Sequence, residues 1–88
     1  MEPEDLTQEV KEILVKTLES NKGDIRNIEV GSTNTILVDK NEFNNIEDDK
    51  YLKAFNKLIR SRLIEKKQLE SNIYQLTEDG RKLAEDIQ

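Results

Sequence analysis

The stretch IYQLTEDGRKLAE, residues 73–85, runs an apolar, β-branched segment directly into a threonine and a helix-forming segment with glycine in its first turn. Ile73 to Leu76 reads as a strand, with Tyr74 and Leu76 on one face, because side chains alternate along an extended chain. Thr77 is a helix N-cap residue. Glu78 and Asp79 follow it in the first turn, where the helix dipole favours negative charge. Leu83, Ala84 and Ile87 recur at helical spacing and form an apolar stripe. A glycine inside such a helix costs about 1 kcal/mol relative to alanine. Gly80 lies four residues after Leu76, which predicts that helix and strand approach too closely there for a side chain. The stretch is a tight strand-to-helix corner.

Upstream of this corner, Glu70-Ser71-Asn72 supplies turn residues, so a strand over residues 64–69 returns antiparallel as residues 73–76. Before that strand, Tyr51, Leu52, Phe55, Leu58, Ile59 and Leu63 gather on one side of a helix predicted over residues 50–63. Glu47-Asp48-Asp49 stands at its start, where carboxylates serve the cap and the macrodipole, and we read the triplet so rather than as a metal site. Residues 25–46 lack helical spacing. Ile28 and Val30 alternate with polar neighbours, Gly31-Ser32-Thr33-Asn34 turns the chain, and residues 35–38 (TILV) complete a hairpin. Asp39-Lys40-Asn41-Glu42 reads as a further turn, with Phe43 and Ile46 anchoring the loop after it. That loop is not a calcium site, because Phe43 and Asn44 occupy places where an EF-hand needs a ligand and a glycine. At the N-terminal end, Leu6, Val10, Ile13, Leu14, Thr17 and Leu18 define a first helix. Thr7, or Asp5 with Gln8, caps its start and Asn21-Lys22-Gly23 its end. Val15 falls off its stripe.

The predicted order is therefore α-β-β-α-β-β-α, a small α+β domain, and this order is winged-helix-like. Residues 58–65 (LIRSRLIE) resemble the helix-end and Leu-Ile-Glu pattern of that superfamily. Residues 74–81 (YQLTEDGR) are similar to the Tyr-x-Leu-Thr-x-x-Gly-Arg close of the wing in MarR-type repressors. Over its whole length the chain also resembles small winged-helix modules at the C-termini of bacterial proteins, whose opening pattern is matched by residues 6–14 (LTQEVKEIL). The resemblance implies a domain that binds macromolecules. Three departures stand beside it. No helix is predicted between Gly23 and Asp49, where a helix-turn-helix needs one. Arg62 occupies the place of a frequent glycine. The wing is short and has no arginine at its tip.

Composition limits the chemistry. The chain has 88 residues, enough for one domain over 1–88 with the first four frayed. Leu, Ile, Val and Phe make up 28% of it, above the roughly 20% below which disorder is favoured. It contains neither cysteine nor histidine, which removes disulfides, thiolate metal sites and the commonest acid–base group. It carries no phosphate-binding glycine loop and no nucleophile elbow. We expect no catalytic residues, no metal, no cofactor and no small-molecule substrate. The acidic start is not a signal peptide and no apolar run spans a bilayer, so we expect a cytoplasmic protein with no membrane partner.

Charge is the informative feature. The net charge is −5, yet residues 50–67 hold seven of the fourteen basic residues against one acid and sum to +6. At 100° per residue, Lys50, Lys53, Lys57 and Arg60 fall within about 80° of one another on the helix, opposite Tyr51, Phe55 and Leu58. Lys66 and Lys67 on the following strand extend the positive region. A row of cations at this spacing suits phosphates, whose condensed counterions are released on binding. It equally suits an acidic protein surface, and it is also what the solvated face of an ordinary amphipathic helix looks like. No exposed aromatic residue neighbours the row, so stacking on single strands is not expected. The sequence thus points to a binding module whose partner is duplex nucleic acid or an acidic protein surface, the latter as a protein–protein interaction or assembly domain of a larger protein.

Overall fold

The structure, a computed structural model, describes residues 6–45, 48–69 and 72–88. The frayed start, Asp5 as a cap, Ile46 as an anchor, Glu47 and the turn residues Glu70 and Ser71 lie outside the described residues. The elements are α1 (Gln8–Glu19), β1 (Ile25–Val30), β2 (Thr33–Val38), β3 (Asn41–Asn44), α2 (Lys50–Arg60), β4 (Ile64–Lys66), β5 (Ile73–Leu76) and α3 (Glu78–Ile87). The α+β class holds, and the order is corrected to α-β-β-β-α-β-β-α. The residues expected to turn and loop after Val38 instead form the strand β3. Only Asp39 and Lys40 turn, and Asn41 pairs with Val38 and Phe43 with Ile36. Asp39 takes the left-handed conformation at φ 57° that such a tight turn requires, and aspartate tolerates it.

The five strands form one antiparallel sheet in the order β3-β2-β1-β5-β4. Pairing registers place Ile25, Ile36, Val38, Phe43, Ile64, Tyr74 and Leu76 on a single face; Ile25, Ile36, Val38 and Ile64 are buried in the hydrophobic core, and Phe43, Tyr74 and Leu76 pack against it half-buried. The helices meet that face through Val10, Ile13 and Leu14 of α1, Ala54, Phe55 and Leu58 of α2, and Ala84 of α3. Ile28 and Val30, whose alternation marked β1, fall on the other face, where Val30 is 70% exposed; the buried residue of β1 is Ile25. Thr7, one of the caps expected, does cap α1, its Oγ1 accepting from the Val10 N–H at 3.3 Å.

The α2–β4 corner explains Gly80. Helix α2 stops at Arg60, three residues earlier than its apolar spacing suggests, and β4 ends at Lys66 rather than Leu69. The Leu63 N–H donates to the Leu58 carbonyl at 2.9 Å and the Arg62 N–H to the Ile59 carbonyl at 3.0 Å, the paired bonds of a Schellman stop. Leu63 is therefore apolar as the residue that closes the stop against Leu58, both being buried. Arg62 sits at φ 59°, where glycine is usual and another residue costs on the order of 1–2 kcal/mol. The start of α3 clamps this corner. Thr77 Oγ1 donates to the Arg62 carbonyl at 2.8 Å and accepts from the Gly80 N–H at 3.0 Å, while the Thr77 N–H donates to the Leu63 carbonyl at 3.0 Å. A Cβ at Gly80 would lie 1.9 Å from that Leu63 oxygen. Close approach is thus the reason for the glycine, and the crowding atom belongs to Leu63 rather than to Leu76.

Candidate functional site

Helix α2 is anchored at its start by a chain of asparagines that sequence reasoning passed over. Asn45 Oδ1 accepts from the Tyr51 and Leu52 N–H groups at 3.1 and 3.0 Å. Its Nδ2 donates to Asn34 Oδ1 at 2.7 Å, and Asn34 Nδ2 donates in turn to Asn27 Oδ1. Of the acidic run, Asp48 and Asp49 lie among the described residues. Asp48 accepts from the Lys50 N–H at 3.2 Å, and the Asp49 side chain makes no capping bond. The Tyr51 hydroxyl donates to Glu12 of α1 at 2.6 Å, and its ring packs 4.8 Å from that of Phe43. This bond to Glu12, then partial burial, then the negative charges of Glu12, Glu9 and Asp48 push the Tyr51 hydroxyl from 10.0 up to about 12.

With its inner face fixed, α2 turns its cations outward. Lys50, Lys53 and Arg60 are exposed and Lys57 is half-buried. Lys53, Lys57 and Arg60 come together around one open depression of about 450 Å³, completed by Asn56 and Ile59. Lys50 stands one turn before it. Lys66 is exposed on the edge strand β4, on the helix-bearing face of the sheet. It pairs across the ladder with Tyr74, whose ring meets Phe55 of α2 edge-on at 4.9 Å. Lys67 leaves the row and forms an ion pair with Asp24 at 3.0 Å. Lys53 lies 3.4 Å from Asp49, an exposed pair of the kind that contributes only about 0.3–0.5 kcal/mol. Lys50, Lys57, Arg60 and Lys66 form no ion pair among the described residues.

Asn56 and Ile59 were not among the expected site residues. Asn56 was within reach, since helical geometry sets it about 40° beyond Arg60 on the same arc. Ile59 belongs to the apolar stripe and serves both surfaces, packing on the core and lining the depression. Among the described residues no three acids, histidines or cysteines gather as a metal site would require, and no helix is long and apolar enough to cross a membrane.

Fold and site together define a small α+β domain that carries a cationic helix face on one side of an antiparallel sheet. No family model, curated protein or solved structure matches the chain.

Proposed function

We propose that the domain is a non-catalytic macromolecule-binding module of winged-helix type that docks on the phosphate backbone of duplex nucleic acid through the outer face of α2. The observation that carries this reading is the convergence of Lys53, Lys57 and Arg60 on one open depression. Lys50 stands one turn earlier on α2, and Lys66 is a further exposed cation on β4. Along the helix axis the row from Lys50 to Arg60 extends about 15 Å at 1.5 Å per residue. Helix α2 also immediately precedes the β4–β5 hairpin, the place a winged helix gives its recognition helix. The three-stranded meander β1–β3 stands where the preceding helix of such a reader would be, so the reading rests on charge and geometry rather than on a helix-turn-helix. The role proposed is binding alone. Its place is the cytoplasm, where duplex nucleic acid is met.

The test is a titration of a labelled duplex at several salt concentrations. Three or four phosphate contacts give a slope of log K against log salt of about −3 to −4, at ~0.9 per phosphate. Lys53→Glu with Lys57→Glu should flatten that slope and weaken binding to all sequences alike, since phosphate contacts carry no base information. No binding at ~50 mM salt and tens of micromolar protein, where such contacts are strongest, would remove nucleic acid as the partner.

A second reading, an acidic protein partner in an interaction or assembly domain, is favoured by two observations. Ile59 gives the depression an apolar floor on which a protein side chain can rest. The chain outside residues 50–67 carries a net charge of −11, which repels a duplex wherever it extends beyond the stripe.

A further inference from the structure

Arg62 is the residue whose presence the fold does not explain. It occupies the left-handed conformation at φ 59°, a position that ends helices most comfortably with glycine. The conformation is imposed from both sides. Its N–H and that of Leu63 close the Schellman stop, and its carbonyl accepts the Thr77 hydroxyl. Its side chain is exposed and makes neither ion pair nor hydrogen bond among the described residues. Asp39, the other non-glycine residue at positive φ among the described residues, differs in kind: aspartate is at home in such turns, whereas arginine has no local bond with which to compensate.

Chain position supplies what the fold does not. Arg62 follows the α2 row directly and lies between Arg60 at its end and Lys66 on β4. The conformation serves the corner, but arginine in it costs more than glycine would and returns no bond to the fold, which is a mark of a side chain held for contact with a partner. Arginine is also the side chain best suited to grip phosphate with two parallel bonds. We propose that Arg62 is a phosphate-contacting residue that joins the cations of α2 to Lys66 of the wing in one continuous anion-binding surface. This rests on the duplex-binding reading of the α2 face.

The experiment compares four forms of the intact chain against a fluorescein-labelled 16-base-pair duplex of mixed sequence: the parent, Arg62→Gly, Arg62→Lys, and the Lys53→Glu, Lys57→Glu pair. Affinity is read by anisotropy across a salt series and stability by thermal melting. Arg62→Gly should melt higher than the parent yet bind several-fold more weakly, with a salt slope shallower by about 0.9. Arg62→Lys should recover most of the affinity without the gain in stability. If Arg62→Gly binds as tightly as the parent while the double variant loses binding, Arg62 is not a contact, and the α2 reading survives without it. If Arg62→Gly melts lower than the parent, the side chain serves the fold and the inference is overturned. If the parent itself does not bind, both readings fail together.

Discussion

Alanine at position 80 is a sharper test of the α2–β4 corner than any larger residue. In an isolated helix the change from glycine would stabilise by about 1 kcal/mol. Here the new methyl carbon would lie 1.9 Å from the Leu63 oxygen and 2.9 Å from its carbonyl carbon, both backbone atoms that cannot rotate aside. Relieving that overlap means moving α3 away from the corner. Overpacking of this kind costs about 1–3 kcal/mol. Drawing Thr77 back lengthens its N–H bond to the Leu63 carbonyl, a further loss of about 1 kcal/mol. Set against the propensity gain, Gly80→Ala should destabilise by about 2 kcal/mol, or roughly 8–16 °C in melting temperature for a domain of this size. Gly80→Val should lose at least as much, having the same clash and a poorer helix propensity. Thermal melts followed by circular dichroism measure both. An alanine variant as stable as the parent, or more so, would refute the close-approach explanation outright.

Asn45→Ala should destabilise by about 1–3 kcal/mol, because it uncaps the Tyr51 and Leu52 N–H groups and leaves the nearly buried Asn34 amide short of a partner; urea melts will show whether it does. Tyr51→Phe should change the alkaline limb of the stability profile. The hydroxyl titrates near 10 when unfolded and at about 12 when folded, so the stability it contributes is complete below pH 10 and is lost as pH rises through 12. Denaturant melts between pH 9 and 12 should therefore show a decline in the parent that is reduced in the variant. The Lys53→Glu, Lys57→Glu pair should stay folded with a loss of no more than about 1 kcal/mol, since Lys53 has only a weak exposed ion pair and Lys57 none among the described residues. A larger loss would mean that these lysines serve the fold.

How much of this was legible from the chain differs element by element. The C-terminal corner could be read because its cap, dipole charges and glycine are local signals a few residues apart. Strand β3 could not, because Asn41-Glu42-Phe43-Asn44 has one apolar residue and owes its extended form to the backbone of β2. The end of α2 was misplaced because Leu63 keeps helical spacing while serving another purpose, the closing contact of the Schellman stop. That stop lacks the glycine which would have announced it. Both faces of β1 offer isoleucine, at positions 25 and 28, so alternation located the strand but left its buried side open. The row on α2 followed from helical geometry, whereas the withdrawal of Lys67 toward Asp24 depends on a contact 43 residues away in sequence. The asparagine chain is separated by 7 and then 11 residues, with no local pattern to join its members.

The packing of α1 against α3 ties the two ends of the described chain together, with Gln8 and Ile87 lining the same shallow depression. This contact closes a loop of nearly the whole domain, so its entropic cost falls late, after the sheet has drawn the ends near. Opening either helix exposes part of the apolar surface of the other, since the two pack together as well as on the sheet. Amide hydrogens at the centre of α1 and in α3 should exchange at similar rates through one global opening, and these two helices should unfold as a single cooperative unit.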